Sequence, residues 1–213
     1  MQKAIACTIG VITFPAINVK TMAEADTLKA YNGIYLEIIM RHRDYIEEKE
    51  GLYVADLPKL VTPSDDAVIL AAMGIKNSFP VYSYDDNFPD AASLAYKYVT
   101  QTISSISLPI QFWLKPAQTI RHCAGDIFDK AVLLCSILIA LGCIPSRVVV
   151  SVRDTERRFV VYSEFKGRLI CMDLENGINE YENMDSMLKG MGVETDGDAT
   201  AYEFNDRMYR DIA

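Results

Sequence analysis

The sequence predicts an α+β protein, a central buried helix packed on an antiparallel sheet and preceded by a mainly helical extension. Three observations carry this. Residues 127–141 are mostly apolar, with Asp126 before them and Leu141-Gly142 closing them, which is the pattern of a buried helix with a start and a stop. From Arg147 onward the apolar period becomes that of strands, over residues 147–152, 158–165 and 168–174. Before residue 105, apolar residues recur mainly at helical spacing.

In chain order, residues 1–15 are apolar with Lys3 as the lone charge. The apolar stretch is too short to span a bilayer, and it reads as a buried first strand rather than a signal peptide. From Thr21 to Glu50, Leu28, Tyr31, Tyr35, Ile38 and Ile39 mark one interrupted helix or two, with Asn32-Gly33 as the break. Residues 51–63 contain two prolines, Pro58 and Pro63, and are expected to loop before a short helix capped at Ser64, whose dipole Asp65 and Asp66 complement. Residues 80–89, dense in Tyr, Asp and Asn, read as a surface loop. Asp90 is then expected to cap a helix through Ser104 with a core stripe of Leu94, Tyr98 and Val99.

Pro116 suits the first turn of a short helix. Asp126 is placed to cap the buried helix, with Asp129 three residues on as its reciprocal partner. A two-residue turn at Lys166-Gly167 sets Phe165 opposite Arg168 and Val160 opposite Asp173. Arg158 then lies one diagonal step from Asp173 on the same face, within reach of an ion pair, and Cys171 shares that face. A final helix is expected over Asn183–Lys189. Tyr202, Phe204, Met208 and Tyr209 would be costly to leave exposed together, so residues 202–212 are expected to pack back on the core. The whole is read as one domain of 213 residues, with 1–108 mainly helical, 109–190 the core and 191–213 a returning segment.

The formal net charge of −8 argues against phosphate backbones and anionic lipid as partners, so neither nucleic acid nor membrane binding is expected. Five cysteines, Cys7, Cys123, Cys135, Cys143 and Cys171, have no CxxC spacing and cannot all pair within the chain. Free thiols in a reducing, cytoplasmic compartment follow. Cys135 and Cys143 read as small core hydrophobes. No compact ligand spacing suggests a metal, and no phosphate-loop or dinucleotide fingerprint suggests a cofactor.

The segment Gly125-Asp126-Ile127-Phe128-Asp129, the helix ending Leu141-Gly142-Cys143-Ile144-Pro145-Ser146-Arg147 and the valines after it resemble the core of the transglutaminase-like superfamily of papain-like cysteine hydrolases. So does the approach from Phe112-Trp113 through Pro116 to Ile120. The resemblance covers residues 112–174. It implies a papain-like core and a Cys-His-Asp site at positions 127, 158 and 173. Here those positions hold Ile127, Arg158 and Asp173, so nucleophile and base are both missing.

A guanidinium cannot serve as a general base near neutrality. The resemblance therefore implies a catalytically inactive member, a pseudoenzyme that binds or scaffolds a protein or peptide. The candidate cleft residues are Trp113, Gln118, Asp126, Ile127, Arg158 and Asp173. Two other readings stand beside it. One is an unconventional thiol amidohydrolase or acyltransferase using Cys123 or Cys171, for which the chain offers two histidines, His42 and His122. The other is a structural subunit of a homo-oligomer or larger assembly.

Overall fold

A computed structural model describes residues 4–5, 8–9, 12–13, 17–18, 22–50, 54–108, 110, 112–153, 156–192 and 199–212. The chain forms two compact units, Met1–Gly51 with Leu108–Phe112, and Leu52–Ser107 with Trp113–Ala213.

In the first unit β1 (Ala4–Ile5), β2 (Thr8–Ile9), β3 (Ile12–Thr13) and β4 (Ile17–Asn18) form two short antiparallel ladders, β1 with β4 and β2 with β3. A single first strand was the expectation from sequence; whether its side chains are buried lies outside the described residues. Then come α1 (Met22–Arg41) and α2 (Arg43–Glu50). The break falls at His42, whose N–H is shared between the carbonyls of Ile38 and Ile39, and Asn32-Gly33 lies inside α1. A single glycine costs a helix only about 1 kcal/mol, which good helix formers around it offset.

The second unit opens with a 3-10 segment, Val54–Leu60, that buries Leu57 and Leu60 where a loop was expected. The next helix, α3 (Asp66–Lys76), is capped by Asp65 and not Ser64: the Asp65 carboxylate accepts the Ala67 N–H at 2.9 Å.

The expected loop over 80–89 is also corrected, because α4 (Tyr84–Thr102) begins six residues before Asp90 and contains Pro89. Asp85 and Asp86 in its first turn complement the dipole. Phe88 is fully buried, and Tyr84 and Phe88 both pack on Phe165, at 5.5 and 5.4 Å between ring centroids. That aromatic burial outweighs the hydrogen bond lost at the proline. The buried stripe is Phe88, Ala91, Ala92, Ala95, Tyr98 and Val99, and Leu94 is half-buried.

Two parallel strands, β5 (Ser104–Ser105) and β6 (Ala124–Gly125), flank α5 (Pro116–His122). The central helix α6 (Ile127–Ala140) is buried from Phe128 to Ile139, as its apolar run requires. Gly142, at φ +116°, ends it; a Cβ there would also press to 3.2 Å of the Tyr84 ring.

The chain then lays down β7 (Arg147–Arg153), β8 (Glu156–Phe165), β9 (Arg168–Asp173), β10 (Gly177–Tyr181), α7 (Met184–Gly190), β11 (Ala199–Phe204) and β12 (Tyr209–Asp211). Six strands form one antiparallel sheet in the order β10-β9-β8-β7-β11-β12. At the β8–β9 turn both Lys166 and Gly167 have positive φ, which is the geometry a two-residue hairpin needs, and Phe165 faces Arg168 as expected. The α+β class is thus established: helices precede a central helix packed on a six-stranded antiparallel sheet.

The alternation along the strands gives the sheet two apolar faces. Val148, Val150, Val161 and Phe204, all fully buried, share the face on which α6 packs. On the other face Val149, Val160, Tyr162, Leu169, Cys171 and Ala201 pack with Met187, Leu188 and Met191 of the α7 region. The closing segment does return to the core, and it does so by strand pairing: β11 lies against β7 and β12 against β11.

Candidate functional site

The start of α6 is fixed by two aspartates. The Asp126 carboxylate accepts the Asp129 N–H at 2.8 Å, and the Asp129 carboxylate accepts the Asp126 N–H at 3.0 Å. Both aspartates are therefore explained by capping, as their spacing suggested. Asp129 does more, because its second oxygen accepts the Leu114 N–H at 2.8 Å and so ties the approach segment to the helix start. Asp129 is fully buried. Burial, joined by the nearby Asp126 charge, pushes its carboxyl up to about 6, against the pull of the Leu114 and Asp126 N–H groups.

Gly125 allows this close arrangement. A Cβ on it would lie 2.9 Å from the Asp129 Cβ and 3.1 Å from the Thr119 Cγ2. Gly125→Ala is expected to cost about 1–3 kcal/mol by overpacking, read as a lower urea midpoint with an unchanged slope.

Ile127 is the first residue of α6 and is half-buried. Its neighbour Phe128 packs on Trp113, Phe159 and Phe204, with centroids at 5.3, 5.5 and 6.1 Å. Trp113 thus sits on an aromatic cluster. Gln118 accepts the Lys115 N–H at 2.9 Å, so its amide oxygen is used in capping α5.

Arg158 and Asp173 are brought together as their strand register requires. The Arg158 Nη2 and Nε donate to Asp173 Oδ2 at 2.6 and 3.0 Å, and its Nη1 donates to the Met191 carbonyl at 2.7 Å. Asp173 also accepts from the Asn176 side-chain amide and from the backbone N–H groups of Glu175 and Asn176. Burial alone would raise its carboxyl. The hydrogen bonds from Asn176, Arg158 and the Glu175 N–H outweigh that and hold it below the usual carboxylate range.

Along β8, alternation gives Arg158 to the face under α7, with Val160, and gives Phe159 to the face that meets Phe128. The structure therefore joins positions 158 and 173 to each other and turns their pair toward Met191.

The two candidate thiols differ. Cys171 is buried beside Asp173, and burial with the Asp173 charge pushes its thiol up to about 12, more than Arg158 pulls it down. Burial of this kind disfavours the thiolate, the form that a nucleophile needs. Cys123 is half-exposed at the end of α5 with φ +50°, and its thiol donates to the Ile120 carbonyl at 3.4 Å. His122, its neighbour, and His42, in the turn between α1 and α2, are both exposed. Cys135 and Cys143 are fully buried, as expected of core hydrophobes.

A buried network went unread in the sequence. Glu203 is fully buried and accepts from Arg210 Nε and Tyr162 OH, each at 2.6 Å, with Arg147 Nε at 3.5 Å. Arg147 Nη1 in turn donates to Tyr162 OH at 2.6 Å. Lying between Tyr202 and Phe204, Glu203 looks solvent-facing by alternation; only the two-sided burial of β11 places it inside. Among the described residues there is no grouping of three or more His, Cys, Asp or Glu that could hold a metal ion, and no helix is long and apolar enough to cross a membrane.

No protein-family model and no curated protein matches the chain. Solved structures that resemble it include Legionella pneumophila LapG, at 15% identity and a TM-score of 0.47 over 74% of this chain and 87% of that one. EGTA-treated Legionella pneumophila LapG resembles it at 14% identity and a TM-score of 0.49, over 76% of this chain and 87% of that one. Both are structural similarities at low sequence identity, and neither bears on activity.

Proposed function

We propose that the chain is a catalytically inactive relative of the transglutaminase-like cysteine hydrolases, working as a protein- or peptide-binding module in a reducing, cytoplasmic compartment. The observation that carries this reading is the occupancy of Asp173. An acid–base site needs a carboxylate free to orient an imidazole. Here every strong acceptor direction of Asp173 is taken by Arg158, Asn176 and two backbone N–H groups. The residue that would be the nucleophile is the hydrocarbon Ile127. A binding role is supported by α1, which leaves Leu28, Tyr31, Ile34, Tyr35, Leu36 and Ile38 exposed, a density of apolar groups that marks contact surfaces.

A thiol hydrolase remains the second reading, favoured by Cys123, the described cysteine that is not buried. Alkylation of the native protein with limiting iodoacetamide at pH 6, followed by peptide mapping, separates the two. The expected result is that no cysteine reacts faster than free cysteine under the same conditions. Rapid and selective labelling of Cys123 would reveal an activated thiolate and would replace the pseudoenzyme with a hydrolase.

A further inference from the structure

The geometry points to a binding site for a small zwitterion, of the α-amino acid class, in the pocket where Arg147 and Arg210 face Glu164 and Glu182. The pocket has a volume of about 270 Å³. That is below the range of drug-sized ligand sites, roughly 300–1,000 Å³, and suits a molecule of amino-acid size. It lies toward the opposite end of the sheet from the Arg158–Asp173 pair and does not depend on the role proposed for that pair.

Its charges are divided by the strand order. The basic residues come from β7 and β12, and the acidic ones from the end of β8 and from the residue just after β10. Because the order is β10-β9-β8-β7-β11-β12, one half of the pocket carries guanidinium groups and the other carries carboxylates. Leu169 and Met184 add apolar side chains to the lining.

The basic half is pre-organised. Glu203, fully buried behind it, holds Arg210 through its Nε and lies 3.5 Å from the Arg147 Nε, while Tyr162 bridges Glu203 to Arg147 Nη1. One carboxylate facing two guanidinium groups leaves one positive charge uncompensated within the network. Among the described residues, Arg147 Nη2 makes no hydrogen bond, and Arg210 adds to its Nε bond with Glu203 a weaker side-chain interaction with Tyr162. Such planar, fixed N–H edges match a carboxylate. On the other side, the Glu164 and Glu182 carboxylates are exposed and have no basic partner among the described residues. Carboxylates placed this way accept an ammonium. A ligand with both charges and an apolar side chain therefore meets each wall with its complement, whereas a simple anion or cation meets one wall with repulsion.

Isothermal titration of the full chain with L-leucine as probe tests the site, alongside leucinamide, which lacks the carboxylate, and 4-methylpentanoate, which lacks the ammonium. L-leucine is expected to bind, and each analogue to bind about tenfold more weakly, the loss that follows removal of one charge-assisted contact. Arg210→Gln is expected to weaken L-leucine about tenfold, and so is the double variant Glu164→Gln/Glu182→Gln, which changes two exposed side chains and keeps the fold. Equal binding of 4-methylpentanoate and L-leucine would overturn the zwitterion site. So would unchanged affinity in the double variant, or the absence of heat at about 10 mM probe, the concentration that detects even weak millimolar binding.

Discussion

Asp173→Ala is expected to lower the unfolding free energy by about 3–5 kcal/mol, the usual effect of removing one member of a buried ion pair. The carboxylate is almost wholly buried and binds Arg158, Asn176 and two backbone N–H groups. Its removal strands the guanidinium, which among the described residues keeps the Met191 carbonyl alone, and unpins the turn after β9. The loss also depends on pH. The folded carboxyl titrates below its unfolded value of about 4, so its contribution is fully present above that value and disappears as pH falls through the folded one. Urea titrations at pH 3 and pH 7 should therefore find the variant's deficit larger at pH 7. A deficit under about 1 kcal/mol at pH 7 would mean that the pair is solvated and worth no more than a surface ion pair.

Asp129→Ala should be nearly as damaging, at about 2–4 kcal/mol, because it removes one half of the reciprocal cap and leaves the N–H groups of Leu114 and Asp126 without acceptors. The pH dependence has the opposite sign. Burial raises the folded carboxyl to about 6, above its unfolded value, so the folded state binds the proton more tightly. The stability this gives is complete below about pH 4 and is lost as pH rises toward 6. The deficit of the alanine variant should accordingly shrink between pH 4 and pH 7, while that of Asp173→Ala is already at its plateau. If both variants follow the same pH curve, the opposite environments assigned to these two carboxylates are wrong.

The opposite behaviour has a simple origin. Asp173 is buried together with a cation, and hydrogen-bond donors surround its charged form. Asp129 is buried beside a second carboxylate with two backbone donors and no cation among the hydrogen bonds it makes. The first environment favours the anion and the second resists it. Residue type alone says nothing of this. Both are aspartates near the ends of regular elements.

Local rules read much of the core from sequence. The cap at Asp126 and Asp129, the hairpin at Lys166-Gly167 and the final helix after Asn183 each follow from residues within a few positions of one another. The Arg158–Asp173 pair followed too, since a two-residue turn fixes the register of everything beyond it. Expectations failed where a distant partner decided. The Tyr84–Pro89 segment has loop composition, yet it is helical because Tyr84 and Phe88 bury rings against Phe165, nearly eighty positions away. Ser64 yielded the cap to Asp65, a one-residue shift that local chemistry permits equally.

The sequence by itself determined the α+β class, the buried central helix and its cap, and the ion pair that occupies positions 158 and 173. Each depends on periodicity or on short-range register, which side-chain chemistry encodes directly. Tertiary structure alone decided that β11 and β12 extend the sheet beyond β7, that Glu203 is buried between two arginines, and that Asp129 reaches back to Leu114. Those features join residues far apart in the chain, or turn an apparently exposed residue inward, and neither the alternation of a strand nor the cap of a helix specifies what will lie against it.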